Sequence, residues 1–382
     1  MRLCFKSLLF AAVSATLSFG TESATPAALG ASDSTAAGTA AGTGAGTAAD
    51  TAEHFQRFTA LPVLGYSEET ELQFGAMAII FLKPGEKNGK VPEIDISAYG
   101  STRGQFQFQL TPYFYLHHDQ ISGWLDFRYQ NWVASYFGMG NNPHIDKYVN
   151  FDRERFYFGA EVESSVGLPK AFKYGAELHV EHSDISFHKG DELRPDHTHS
   201  GWRNGAGYLA AYDTRDNTNW TRHGFLAQWQ QMFYSDLLGD YSFDMESLDL
   251  RGYTYLFWET SMAVGALWQR SGGDVPFDML AGSDGIKRFR GVESLYFRDK
   301  QAIILQAELR KYLGWRLAGD IFFEGGKSGD HFSELMRNKW HKSVGFGGML
   351  ILNMKEQLYA RGEFSWVDFE HLGMTVYIRQ AF

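Results

Sequence analysis

The sequence predicts an all-β protein, a 16-stranded antiparallel transmembrane β-barrel over residues 57–382, and three observations lead there. First, the apolar period is two: in Gln105-Phe106-Gln107-Phe108-Gln109-Leu110 every second residue is apolar, which places them on one face of a strand and would scatter them around a helix. Second, the polar face carries full charges in consecutive segments, as in Glu308 and Arg310 against Leu305, Ala307 and Leu309, or Arg361 and Glu363 against Ala360, Phe364 and Trp366. The apolar face carries large aromatics near the segment ends, as expected of a wet lumen and lipid-facing aromatic girdles. Third, turn signals divide the chain into an even number of segments, which returns both ends to one side of a membrane.

The first 52 residues lie outside this pattern. Arg2 and Lys6 form a basic start, Leu8 to Phe19 is apolar and small residues follow, so residues 1–20 read as a secretory signal peptide. Cys4, the only cysteine, precedes the apolar run, whereas a lipoprotein cysteine follows it. Residues 21–52 use little besides Ala, Gly, Thr, Ser and Asp. Such a composition cannot repay the entropy of ordering and reads as a flexible linker. Its Gly42, Gly44 and Gly46 lack the preceding strand and following Lys of a phosphate-binding loop.

Strands are expected near 57–66, 70–82, 91–101, 104–116, 120–130, 152–166, 172–187 and 205–215. The second half adds 223–235, 241–255, 257–270, 300–312, 315–325, 341–353, 356–367 and 373–382. The links 131–151, 188–204, 271–299 and 326–340 are long and fall on one side, the expected extracellular face. Short links at 312–315 and 353–356 fall on the other. Pro62 in the first strand removes a backbone donor, which suits a strand start or a weak, edge-like pairing.

Composition excludes other classes. A net charge of −10 argues against nucleic acid as a partner, and no long apolar run after the leader supports a helical span. Cysteine chemistry is absent from the mature chain. His182, His188, His197 and His199, with Asp191 and Asp196, could bind a metal but read better as a solvated loop. Ser and His occur without a catalytic motif, so no enzyme, cofactor or metal is expected.

The longest link contains Leu280-Ala281-Gly282-Ser283-Asp284-Gly285-Ile286-Lys287-Arg288-Phe289-Arg290-Gly291-Val292, followed by Glu308-Leu309-Arg310 and Phe322-Phe323-Glu324-Gly325-Gly326. Here the sequence resembles the BamA/TamA family of outer-membrane assembly barrels, the bacterial surface antigen superfamily. That family's inward-folded extracellular loop has an Arg-Gly core, and its next strands carry Glu-x-Arg and Phe-x-Asp-x-Gly. Phe289 and Val292 depart from the pattern, and Glu324 stands in place of Asp. Asp213-Thr214-Arg215-Asp216-Asn217 with Gly224 looks like the family's periplasmic turn. Tyr136-Phe137-Gly138-Met139-Gly140-Asn141 is similar to its Phe-Tyr-Gly-Ile-Gly-Asn loop, and Leu64-Gly65-Tyr66 opens as its first hairpin does. The family's POTRA domains are missing, because the linker is too short to hold one.

The resemblance implies a cell outer-membrane location and a role in protein insertion or translocation, with a passive channel or structural barrel as the alternative. It implies outer-membrane lipids, the barrel assembly machinery and client outer-membrane proteins as partners. It also implies a loop-to-lumen contact through Arg290 and Gly291. Parity places Arg316, Asp320 and Glu324 on one luminal face and Glu308 and Arg310 on the next, making Glu324 the first partner of Arg290 and Glu308 the second. Luminal charges beneath a loop splayed outward are the alternative. The C-terminal His371-Leu372-Gly373-Met374-Thr375-Val376-Tyr377-Ile378 resembles the family's assembly signal, with Gly373 at its small position and Val376, Ile378 and the terminal Phe382 facing lipid.

Overall fold

A computed structural model describes residues 58–379, except 68–70, 84–89, 144–146, 189–194, 196–199, 285, 286, 293, 295, 355 and 356. The expected leader, linker and Phe382 lie outside the described residues. The first eight strands are β1 (Phe58–Ser67), β2 (Glu71–Phe81), β3 (Glu93–Ser101), β4 (Phe106–Leu116), β5 (Ile121–Tyr136), β6 (Val149–Ser164), β7 (Phe172–Phe187) and β8 (Gly201–Asp213). Then come β9 (Gly224–Tyr234), β10 (Phe243–Tyr255) and β11 (Thr260–Gly273). A long link carries a two-stranded ribbon, β12 (Ala281–Gly282) and β13 (Arg298–Asp299). The wall resumes with β14 (Gln301–Gly314), β15 (Leu317–Gly329), β16 (His341–Asn353), β17 (Leu358–Val367) and β18 (His371–Ile378), with helix α1 (Phe332–Arg337) between β15 and β16.

Sixteen strands form one antiparallel sheet in chain order, with β11 beside β14, so the link that carries β12 and β13 leaves and re-enters the wall between neighbours. No helix of the described residues is long and apolar enough to cross a membrane. The strands do so instead, with the barrel's two faces sorted by parity. On β14, Gln306, Glu308 and Arg310 are buried while Leu305 is exposed; on β15, Asp320, Phe322 and Glu324 are buried while Ile321 and Phe323 are exposed. Buried charge inside and exposed apolar side chains outside is the inverse of a soluble core, and it suits a lipid-facing wall around a polar lumen.

Several strand readings need correction: β6 opens at Val149 rather than 152 and β8 at Gly201 rather than 205, which shortens the expected 131–151 and 188–204 links. β5 continues to Tyr136, beyond the expected 130, because burial changes phase between Gln130 and Val133 and a period-two reading ends there. β15 runs to Gly329 and shortens the expected 326–340 link. Arg316 lies in the turn before β15, after a register shift between Tyr312 and Gly314. Its guanidinium donates to the carbonyls of Ile351 and Leu352, both at 3.2 Å, and it is not part of the luminal charge set.

The sheet's two ends meet differently from its other strands. Among the described residues no ladder joins β1 to β18. Ile79 and Phe81, on the inward face of β2, pack with Leu358 at the start of β17 and with Ile378 at the end of β18. Arg379, just past β18, donates to Glu93 at 2.6 Å and to Asp95 at 3.0 Å, both on β3. Ile378, expected toward lipid, is therefore covered by the first hairpin: the end of the last strand tucks against the inner side of β2. Val376 keeps its outward parity, alternating with buried Thr375 and Tyr377. Pro62 is exposed on β1, opposite Ala76 in the β1–β2 ladder.

A loop pinned inside the barrel

The long link folds back into the lumen because its sequence builds a tight, aromatic-backed turn. Asp284 Oδ1 accepts the amides of Lys287 at 2.7 Å and Arg288 at 2.6 Å, closing the turn that precedes the Arg-Gly core. Phe289 and Phe297 are fully buried and join Phe137, Leu267, Val292, Tyr296, Ile304 and Val367 in one apolar cluster inside the barrel. The cluster needs Gly326, since a Cβ there would lie 2.3 Å from the Phe297 ring. Gly291 has φ +93°, and a Cβ on it would lie 2.4 Å from Ser365 Cβ. Both its backbone conformation and the close wall demand glycine.

Arg290 is fully buried. Its backbone amide donates to Glu324 Oε2 at 2.6 Å and its Nε to Glu324 Oε1 at 2.7 Å, so one carboxylate grips both main chain and side chain. Nη1 reaches Glu308 at 2.8 Å and Glu363 at 3.1 Å, and the guanidinium lies 3.5 Å from the Phe322 ring centroid. The Arg290 carbonyl accepts from Ser343 Oγ at 2.7 Å. These partners come from β14, β15, β16 and β17. β18 completes the enclosure, because a Cβ on Gly373 would lie 2.2 Å from the Gly291 carbonyl oxygen.

Around Arg290 the structure sets three arginines, Arg290, Arg310 and Arg361, among four carboxylates, Glu308, Asp320, Glu324 and Glu363. Oxygens of Glu308, Asp320 and Glu363 converge closely enough to hold a metal ion. Arg361 Nη2 already stands among them, at 2.9, 3.2 and 2.7 Å respectively. A guanidinium thus supplies the positive charge that buried carboxylates require. Tyr377 on β18 donates to Glu363 at 2.8 Å and couples the last strand to this set.

Two further anchors hold the loop. A 3-10 turn, Phe277–Met279, presents Asp278 to Arg203 at 2.6 Å and Arg153 at 3.0 Å, while Glu181 spaces Arg203 from Arg155. Burial alone would push the Asp278 carboxyl up; the two guanidiniums hold it below its usual range. Arg288 bonds Asp249 and Gln306, and Gln306 donates onward to Glu324 at 2.7 Å. Lys287 is pushed down to about 8, first by burial and then by Arg379. The loop tip therefore lies in the field of the residue that ties the sheet ends together.

The expected contact set, Arg290, Gly291, Glu324 and Glu308, is assembled at one point. Sequence reasoning placed Asp320 on the luminal face without giving it a partner, and it missed Glu363, Arg361 and Tyr377 as members of the set, although Arg361 and Glu363 share the luminal parity already visible in the alternation. It also missed Asp278 with Arg153 and Arg203, for which alternation of Arg153 and Arg155 along β6 was the available signal. Gly373 serves as a seat for the loop. Of the histidine cluster, His188 faces Asp152 at 2.7 Å and His182 lies against Trp202, while His197, His199, Asp191 and Asp196 lie outside the described residues.

The other motifs also acquire geometry. Asp213 and Arg215 form a two-bond ion pair, and Asn217 Oδ1 accepts the amides of Asn219 and Trp220 at 2.7 and 2.9 Å. This turn carries Trp220 across the short-link rim to stack on Tyr359 of β17, with ring centroids 4.5 Å apart. At the long-link rim the Gly140 amide donates to the Arg298 carbonyl at 2.7 Å.

Fold and loop together define a transmembrane barrel whose lumen is occupied by an arginine-anchored link. Residues 89–328 match the Omp85 superfamily domain, and the chain belongs to that superfamily of outer-membrane proteins. Among solved structures it is similar to BamA from Haemophilus ducreyi lacking POTRA domains 1–3, at 10% identity and TM-score 0.55, over 84% of this chain and 69% of that one. It is similar to CdiB from Acinetobacter baumannii, at 9% identity and TM-score 0.56, over 85% and 60%. CdiB from Escherichia coli gives 10% identity and TM-score 0.54, over 83% and 61%. At such identities the likeness is one of fold, and the chain spans about three fifths of each CdiB. Comparison with curated protein sequences gives no match.

Proposed function

We propose that this barrel aids the insertion of other proteins into the outer membrane, or their translocation across it, without covalent catalysis. The observation that supports this reading best is the seam. Every other neighbouring pair of wall strands is held by a ladder of backbone hydrogen bonds, while β1 and β18 among the described residues are not. Their ends are held by one apolar cluster and by Arg379 with Glu93 and Asp95. Opening there breaks no ladder, and it exposes a strand edge on which a client strand can pair. The pinned loop complements the seam: by bonding β14 to β17 and seating against β18, it keeps that half of the wall in shape while the edge opens. Depleting the protein should lower the outer-membrane levels of other barrels at unchanged synthesis. Unchanged levels would remove the insertion reading and leave a structural barrel.

A further inference from the structure

His341, the first residue of β16, stands at the long-link rim between two acceptors. Its Nδ1 lies 2.7 Å from Asp368 Oδ2, in the turn of the last hairpin, and its Nε2 lies 2.8 Å from the carbonyl oxygen of Asn141, in the β5–β6 link. A carboxylate and a carbonyl only accept. A neutral imidazole has one N–H, so both bonds form together only on the imidazolium. The ring is also stacked on Phe297 of the pinned loop, centroids 5.4 Å apart and planes 8° from parallel. One side chain thus touches the last hairpin, the β5–β6 link and the luminal loop.

We propose that His341 is a proton-operated latch of this rim: charged, it ties the β17–β18 hairpin to the β5–β6 link, and neutral, it must release one of them. The surroundings suit the role. Asp368 is held in place by a reciprocal pair of bonds, its amide to the Lys342 carbonyl and its Oδ1 from the Lys342 amide, each 2.7 Å. Half-buried, its carboxyl is nevertheless kept below the usual range by His341 and that amide. Asn141 is fixed independently, by donating to the Lys339 carbonyl at 2.8 Å and accepting the Ser328 amide at 2.7 Å. The acceptors cannot easily swing away to suit a neutral ring. Among the described residues, the neighbouring arginine and lysines are engaged elsewhere or turned outward. Arg298 lies over Tyr136 and Phe277, Lys327 bonds the Met336 carbonyl over Trp340, and Lys339 and Lys342 are exposed. Phe289 and Tyr296 supply ring edges near the imidazole. The latch concerns rim closure and stands whether or not the barrel inserts clients.

The sign follows from the donor count. The latch is whole in acid and is lost as pH rises through its own titration. Hydrogen exchange on the full-length protein in lipid nanodiscs, corrected for intrinsic rates between about pH 5 and 9, reads it at residues 137–143 and 366–372. In wild type, protection of at least one of these segments should fall by roughly tenfold as pH rises, the effect of losing one charge-assisted bond. Asp368→Asn is the decisive variant: its amide can donate to Nδ1 while its oxygen still accepts from Lys342, so a neutral ring is satisfied on both sides. Protection in that variant should stay high and independent of pH. His341→Leu should be poorly protected throughout, with heat-modifiable migration confirming that the barrel is folded. Flat protection in wild type, or Asp368→Asn titrating as wild type does, would overturn the latch.

Discussion

At the scale of single residues, Arg290 carries a charge that cannot be left alone. Arg290→Ala removes the cation shared by Glu324, Glu308 and Glu363 and strands the buried Glu324 carboxylate, since Arg310 and Arg361 still pair with Glu308 and Arg361 with Glu363, a loss on the order of 3 to 5 kcal/mol. Glu324→Ala leaves Arg290 with Glu308 and Glu363, so it should cost less, and the double variant should cost less than the sum. Midpoints of heat-modifiable migration for the three variants check this; strict additivity would show that the pair acts separately. Gly291→Ala and Gly373→Ala should each unseat the loop, because a methyl on either strikes the other's neighbourhood at 2.4 and 2.2 Å. Limited proteolysis within residues 281–299 reads that release. Arg290, Glu324 and Glu308 were legible in the sequence because a motif resemblance and strand parity pointed at the same positions. Glu363, Arg361 and Tyr377 were not, because their convergence depends on the relative stagger of five strands spread over some seventy residues, which alternation does not encode. Arg316 misled for a local reason: it lies in the turn before β15, where its guanidinium bonds the Ile351 and Leu352 carbonyls instead of the luminal carboxylates.

At the scale of elements, the link after β11 behaves as a strap with several fastenings, and its Asp278 anchor is the most separable. That carboxyl's folded value lies below its unfolded one, so its contribution is present above about pH 4 and is lost as pH falls through the folded value. Asp278→Asn should lower the midpoint near neutral pH and leave it nearly unchanged in acid, where wild type has also lost the ionised group. A deficit of equal size at both would contradict the pairing with Arg203 and Arg153. The turn between β8 and β9 is a second strap, on the opposite rim. Trp220→Ala should expose residues 214–223 to protease with little effect on the wall, since the stack on Tyr359 is the turn's tie to β17. Most strands were legible because one face meets lipid and the other charge. The ends were less so, since β5 changes phase where it leaves that regime. The straps were legible as turns, from Asn217 and Asp284, but not in where they reach, which is tertiary.

At the scale of the whole molecule, the wall among the described residues is continuous everywhere except at its seam, and the pinned loop, the tucked end of β18 and Arg379 all gather on that side. The proposed function requires this seam to open. The sequence has only Cys4, before the barrel, so Ile79→Cys with Leu358→Cys places a unique pair across the apolar cluster that joins β2 to β17. The most direct measurement reconstitutes this variant in liposomes and follows the folding of a small unfolded reporter barrel, with the pair oxidised and then reduced. The reduced protein should accelerate folding, lose that acceleration on oxidation, and recover it on re-reduction. Acceleration by the oxidised, demonstrably cross-linked protein equal to that of the reduced form would contradict an opening seam.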